Sequence, residues 1–378
     1  MPSLDQRVSD ALADLIGRTH GISTFAAAAM VDGHMVLEHN TAEPLCACST
    51  FKVAAATAVM SLVQEGAINL DQPVLQYDSS LVFGDPTAAR GITMRHLLSH
   101  TSGLDDTDEA EPQPLRCLVR LPFVASPSRA FRYSNVGFDV GVLIAAQRVG
   151  LSYEELLRSR VLEPLEMEDT HWRPGCSFAA PFTTARDLMR LAEEHLGGNR
   201  VLHPHSLAQM HRVHADSFTA NPCRYYGLGI DVEQWEDRTL LAHGGGLAPY
   251  GTAFVIDPCE GAAVALLFDD QAGYQVSPHA LLDRILDRQT ALRNPRENAT
   301  DWAPYIGRYS NGAQLLSVAG KLLLRWRGEI QPLAAVDERL FTSEHGLSVG
   351  LLEGTPTMIS VNDSILIGAR PGVLLENR

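Results

Sequence analysis

The chain has 378 residues, enough for one large domain with an appendage or for two domains. Hydrophobic residues make up 45% and charged residues 20%, ordinary for a soluble globular protein. The net charge of −15 opposes a role in binding nucleic acid or an anionic membrane surface.

Leu4, Val8, Leu12, Leu15 and Ile16 recur at helical spacing and predict an N-terminal helix. The start, Met1-Pro2-Ser3-Leu4-Asp5, lacks the basic stretch and apolar core of a secretory signal. No apolar run is long enough to span a bilayer, so a cytoplasmic location is expected. Thr24–Val31 and His34–His39, joined by Asp32-Gly33, predict a tight hairpin.

Ser49-Thr50-Phe51-Lys52 then opens a helix-like run, Val53 to Glu65, that Gly66 can terminate. Positions i and i+3 share a helix face, which brings a hydroxyl and an amine together as a nucleophile and its base require. Of the 30 basic residues only Lys52 and Lys321 are lysine, leaving 30 − 2 = 28 arginines. Arginine does not surrender its proton in a protein and lysine can, so a lysine beside a serine points to proton transfer. Ser49 as a plain helix cap fits less well, because a capping box wants Glu or Gln where Lys52 stands. The positive end of the helix dipole is expected to lower the Lys52 pKa towards that of a useful base.

Thr93 predicts the cap of a short helix with Met94, Leu97 and Leu98, running into Ser99-His100-Thr101-Ser102-Gly103-Leu104. Asp105, Asp106, Asp108, Glu109 and Glu111 follow and read as a solvated acidic loop. Tyr133-Ser134-Asn135 places a phenol and an amide where a second helical pattern begins, ending near Gly150. Ser152 and Glu155 form a capping box for a third helix, and Thr183 or Thr184 starts a fourth with Leu188, Leu191 and Leu196.

From Tyr225 onward the texture turns to strands: Tyr226–Val232, Thr239–His243, Thr252–Ile256 and Ala262–Phe268, then a helix from Ala280 to Leu292. His243-Gly244-Gly245-Gly246 ends one of these strands with backbone that a bound oxygen can approach closely. Asn294 to Asn298 reads as a linker. Beyond it Leu315–Val318, Lys321–Trp326, Arg339–Thr342, Leu347–Leu352 and Met358–Ile359 suggest short antiparallel strands. The expected fold class is α+β, an antiparallel sheet flanked by helices. A catalytic domain spans 1–293, with a sheet from about 20–45 and 225–292 and a helical insertion over about 75–220, and a small β domain occupies 294–378.

Cys46, Cys48, Cys117, Cys176, Cys223 and Cys259 follow no framework spacing and are expected to be reduced. His203, His205, His211 and His214 are the best metal candidates, but no acidic or thiol partner completes them, so neither metal nor cofactor is expected.

Taken in order, Ser49-x-x-Lys52, Tyr133-x-Asn135 and His243-x-Gly245 resemble the serine β-lactamase and penicillin-binding-protein superfamily. The likeness is to the branch similar to class C β-lactamases, family VIII esterases and D-aminopeptidases. Gly66 with Leu70-Asp71, Leu97 to Leu104, Pro164-Leu165-Glu166-Met167, Thr184 to Leu188 and Tyr226-Gly227-Leu228-Gly229 extend it over roughly residues 15 to 290. The resemblance implies Ser49 as the acylated nucleophile, Lys52 as its base and Tyr133 as the proton relay to the leaving group. Asn135 would hold that pair or a substrate amide, and the backbone N–H groups of Ser49 and Gly246, beside Gly245, would form the oxyanion hole. His243 stands where many penicillin-recognising members have lysine, and a neutral imidazole suits a substrate carboxylate less well. The expected activity is acyl transfer on a small ester or amide, as hydrolase or transacylase, with a β-lactamase or D-aminopeptidase as the alternative. The oligomeric state is left open.

Overall fold

The computed structural model describes residues 2–367 apart from 20–21, 107–120, 174–179, 220–222, 236, 271–272, 274–275, 289–301, 310–311, 319, 336–339, 344–346, 353–357 and 362–363. Its first sheet has eight strands in the spatial order His34–His39, Phe25–Val31, Ala262–Phe268, Tyr250–Asp257, Thr239–Leu247, Asp231–Gln234, Cys223–Tyr226 and Ala215–Thr219. All neighbours are antiparallel. The strand nearest the N-terminus lies beside one from near residue 265, in the register Phe25↔Phe268 to Val31↔Ala262. The intervening helices are therefore an excursion from a sheet closed by both ends of the domain.

Phe25–Val31 reads as a continuous apolar run because both of its faces are buried. Ala26, Ala28 and Met30 point into the core against the Phe51–Gln64 helix, while Ala27 and Ala29 face the helices Leu4–Arg18 and Pro278–Leu286. Small side chains at these positions let helices approach from both sides. The Phe51–Gln64 helix is buried nearly all round, as its composition requires. Its hydroxyls are satisfied internally: Thr57 donates to the Val53 carbonyl at 2.8 Å and Ser61 to that of Ala58 at 2.7 Å. On the far side of the sheet the buried Arg238 bonds Asp257 at 3.1 Å and also Asp283, fastening the Pro278–Leu286 helix to the sheet. Removing one partner of such a pair typically costs about 3–5 kcal/mol.

The hairpin at Asp32-Gly33, the Thr93 cap and the Ser152–Glu155 capping box are present as read from the sequence. Three boundaries differ. The single strand expected over Tyr226–Val232 is two strands broken at Gly227–Gly229. Gly229 lies against the Phe51–Gln64 helix with φ +75°, where a β-carbon would sit 2.3 Å from that of Ala56. The edge strand Ala215–Thr219 was not expected and shortens the helical insertion at its C-terminal end. The closing helix starts at Pro278 and stops at Leu286, where Asp287 turns left-handed.

A second sheet, also eight-stranded, is a consecutive antiparallel meander from Gly307–Arg308 to Ser364–Ile367 with its own apolar core, including Leu315, Leu324, Phe341, Val349 and Ile359. Gly307–Arg308, Glu329–Ala335 and Ser364–Ile367 were not foreseen: the first is two residues long and the second contains Pro332. Leu340 and Leu352 pack on Ala130, Val124, Ala125 and Tyr225, just before the loop that carries Tyr133. The Asn294–Asn298 segment, Asp108, Glu109, Glu111, Cys117 and Cys176 lie outside the described residues.

Candidate active site

Ser49 sits in a single tight turn, Cys48–Thr50, between a short extended segment and the Phe51–Gln64 helix. Cys48 takes a left-handed conformation with φ 47°, which swings the chain from strand to helix. The turn is pinned at Ala47, whose carbonyl accepts from Thr50 Oγ1 at 2.5 Å and Thr252 Oγ1 at 2.8 Å, and whose N–H donates to Pro181 at 2.8 Å. The helix cap falls on Thr50 and uses no side-chain bond, so Ser49 is not serving as a cap. Its hydroxyl instead lies 3.5 Å from Lys52 Nζ.

Lys52 is 7% exposed. Its ammonium donates to Asn135 Oδ1 at 2.8 Å and stands over the Tyr133 ring, 5.3 Å from the centroid. Burial disfavours the charged amine, but Tyr133, Asp139 and Asp106 together outweigh it, and the pKa lies above that of an ordinary lysine. The lowering expected from the helix dipole is therefore overturned. The dipole is one weak field, and the neighbouring oxygens come from distant parts of the chain.

Tyr133 and Asn135 stand at the start of the Asn135–Arg148 helix. Ser134 is its cap, accepting from Gly137 N at 3.0 Å. Asp106 adds four more bonds: from Ser134 Oγ at 2.8 Å, Asn135 N at 2.8 Å, Asn135 Nδ2 at 2.9 Å and Val136 N at 3.1 Å. Asp105 pairs with Arg132 Nη2 at 2.5 Å. Both carboxylates belong to the run read as a solvated loop, and here they organise the site. Below Tyr133 lies His100, its ring stacked at 4.2 Å and 29°. His100 Nδ1 accepts from Ser134 N at 3.2 Å, and burial, with Lys52 and His243 adding to it, holds the ring neutral. Asp139, one turn along the helix, has its carboxyl pushed up to about 7 by burial, Lys52 opposing and Asp106 assisting. Sequence reasoning missed Asp106, His100 and Asp139 as site residues. Only His100 carried a signal, as part of Leu97 to Leu104.

The third element is the end of the strand Thr239–Leu247. Its ladder with Asp231–Gln234 stops at Asp231↔Ala242, while its pairing with Tyr250–Asp257 runs on to Leu247↔Tyr250. Among the described residues, 243 to 247 thus have ladder partners on one side only, and His243, Gly244, Gly245 and Gly246 line one cavity with Ser49. Gly245 is buried against the nucleophile: a β-carbon there would lie 2.5 Å from Ser49 N and 2.7 Å from Cys48 Cβ. Gly244 and Gly246 are exposed. His243 is buried, with Nε2 2.9 Å from Tyr226 Oη and Nδ1 2.7 Å from the Gly244 carbonyl. The carbonyl can only accept, so Nδ1 carries the hydrogen and Nε2 accepts from the phenol.

A cavity of about 500 Å³ opens here, lined by Ser49, Tyr133, His243, Gly245 and Gly246 and walled by Phe131 and other groups. Lys52 and Asn135 stand behind Ser49 and are not among its lining residues. The metal candidates are engaged separately: His211 bonds His195 at 2.9 Å, His214 the Gln209 carbonyl at 2.9 Å and His205 the Gln209 amide at 2.8 Å. Among the described residues, no three groups of ligating type gather at one point.

A serine at the head of a buried helix, a lysine one turn on, a Tyr-x-Asn pair from a second helix and a glycine-rich strand edge place the protein in a class. That class is the serine β-lactamase and penicillin-binding-protein-like superfamily. The family profile described as Beta-lactamase matches residues 4–287, and the chain belongs to that family. It is 26% identical to Penicillin-binding protein 4 of Amycolatopsis lactamdurans, over 67% of this chain and 82% of that one. The fold resembles that of SurE, solved with D-Leu, at TM-score 0.75 and 22% identity, covering 97% of this chain and 99% of that one. It also resembles D-amino acid amidase from Ochrobactrum anthropi SV3, solved with D-phenylalanine, at TM-score 0.61 and 21% identity, over 75% of this chain and 98% of the amidase. Family members are usually serine hydrolases or acyltransferases. Among the described residues, no helix is long and apolar enough to cross a membrane.

Proposed function

We propose that the protein transfers acyl groups from a small ester or amide through an acyl-Ser49 intermediate. The observation that carries this reading is the convergence on Ser49 of Lys52 Nζ at 3.5 Å, itself bonded to Asn135 Oδ1 at 2.8 Å and standing 5.3 Å from the Tyr133 ring centroid. Lys52 and Tyr133 act as one proton-handling pair, so any apparent pKa belongs to the pair. The pair takes the Ser49 proton as Oγ bonds to the acyl carbon, and Tyr133 returns a proton to the departing amine or alkoxide. The Ser49 and Gly246 N–H groups hold the developing oxyanion. In the second half-reaction the pair deprotonates the acceptor, the acceptor bonds to the acyl carbon, and Ser49 regains its proton. Water as acceptor makes a hydrolase, and an amine or alcohol makes a transacylase, in intracellular metabolism that includes natural-product tailoring.

SurE is solved with D-Leu and the amidase with D-phenylalanine, L-phenylalanine and L-phenylalanine amide, which supports an aminoacyl group as donor and leaves its hand to the experiment. A β-lactamase is the second reading, and His243 weighs against it. Its nitrogens are occupied by Tyr226 and Gly244, which leaves it a poor anchor for a penicillin carboxylate. The test is mass spectrometry after exposure to a panel of D- and L-aminoacyl esters and amides, with and without added amine. An adduct on the Ser49 peptide is expected, and a stable adduct only on peptides lacking Ser49 refutes the mechanism. Rapid turnover of a chromogenic cephalosporin alongside slow ester cleavage would favour the second reading.

A further inference from the structure

We propose that Asp106 is a positioning residue that sets the orientation of the Asn135 amide and, through it, of the Lys52 amine. This rests on the acyl-transfer reading of the same site. An ionised carboxylate only accepts hydrogen bonds, so the end of Asn135 that faces Asp106 Oδ2, at 2.9 Å, is its NH2 group. The opposite end, the carbonyl oxygen, is then presented to Lys52 Nζ at 2.8 Å. Reversing the amide would set a carbonyl against a carboxylate and an NH2 against an amine, two repulsive contacts in one rotation. With one N–H fixed on Asn135, the remaining positions on Lys52 Nζ are turned about that bond, and one of them faces Ser49 at 3.5 Å. A proton can pass between serine and amine only along that direction.

Helix capping alone does not account for Asp106. Ser134 caps Gly137 N at 3.0 Å and Asp106 caps Asn135 N and Val136 N, but capping needs no bond to the Asn135 side chain. The groups that set the charge state of Lys52 are Tyr133 on the loop, Asp139 on the Asn135–Arg148 helix and Asp106. His100, packed beneath Tyr133, is neutral, and its neighbour His243 is bonded to Tyr226. Asp106 is the member of this set that also bonds the Asn135 amide.

The full chain contains only two lysines, so ε-13C-lysine labelling gives two side-chain signals with Lys321 as internal reference. Asp106→Asn should lower the titration midpoint of Lys52 and leave Lys321 where it was. Coincident wild-type and variant titrations overturn the proposal. Ser152→Ala, which removes the cap of a separate helix without touching Asp106, should lower Tm without moving the Lys52 signal, and an equal movement there assigns the effect of Asp106→Asn to lost stability alone. In acylation, Asp106→Asn and Asn135→Ala should each slow adduct formation about tenfold or more, and the double variant should be no slower than Asn135→Ala by more than about twofold. Additive losses overturn the proposal. In the wild-type protein, exchange of the Asn135 side-chain NH2 with water should be slowed, and exchange at the free-amide rate overturns it even if no Asp106 variant folds. Absence of any acyl-Ser49 in the wild type defeats the acyl-transfer reading, while the lysine titration and amide exchange still decide the role of Asp106.

Discussion

Gly245 and Ser49 meet with no room for a side chain between them: a β-carbon on Gly245 would lie 2.5 Å from the Ser49 nitrogen and 2.8 Å from Thr252 Oγ1. The glycine permits the strand edge and the nucleophile's turn to close into one surface. Gly245→Ala is therefore expected to displace Ser49 and cost about 10²-fold or more in acylation, with a lowered Tm. Adduct formation at wild-type rate would show that the turn accommodates the methyl group.

Lys52→Arg should nearly abolish acylation, by about 10²- to 10⁴-fold, although it keeps the charge. Because Tyr133, Asp139 and Asp106 favour the ammonium over what burial alone would allow, the base form of the pair becomes more populated as pH rises. The acylation rate of the wild type should thus climb from pH 6 to above pH 8. A rate that falls over this interval would exclude Lys52 as part of the base.

Thr57 donates to Val53, so it must accept from His195 Nε2 at 3.1 Å, and His195 Nδ1 then accepts from His211 Nε2 at 2.9 Å. His195 must be neutral to accept, and burial lowers His211 to about 4 and, with His211 adding to it, His195 well below an ordinary histidine. As pH falls the unfolded chain takes up these protons first. The contribution is full above the unfolded value near 6.5 and is lost progressively down to about pH 4. For half-buried His211 the loss should be on the order of 2 kcal/mol after allowing for solvent screening. His211→Gln, which keeps a donor for His195, should have a flatter stability profile between pH 6.5 and 4 by circular dichroism. An unchanged slope would contradict this.

Leu340 and Leu352 of the second sheet brace Ala130 at the base of the Tyr133 loop. Replacing both by alanine should cost about 2–5 kcal/mol for each leucine, locally, and slow acylation several-fold while leaving the first sheet intact. An unaltered acylation rate in a variant with loosened packing would confine the second sheet to a stabilising role.

Ser49 and Lys52 were legible because their relation is local: one turn of one helix settles it, and the scarcity of lysine marks it. The hairpin at Asp32-Gly33 and the caps at Thr93 and Ser152 were legible for the same reason. Tyr133, Asn135 and the His243 to Gly246 strand could be singled out through the family resemblance. Asp106 could not, because a carboxylate in an acidic run looks like every other until its partners are placed.

By itself the sequence determined the α+β class, the order of the motifs and which serine faces which lysine, all set by periodicity and by contacts within a few residues. Only the tertiary structure decided that Gly229 breaks a strand, that Gly245 abuts the nucleophile, and that the neighbours of Lys52 raise its pKa against the pull of burial. Lys52 meets Asn135 across 83 residues, and Asn135 meets Asp106 across 29. A protonation state sums the fields of all such neighbours, and no local pattern contains that sum.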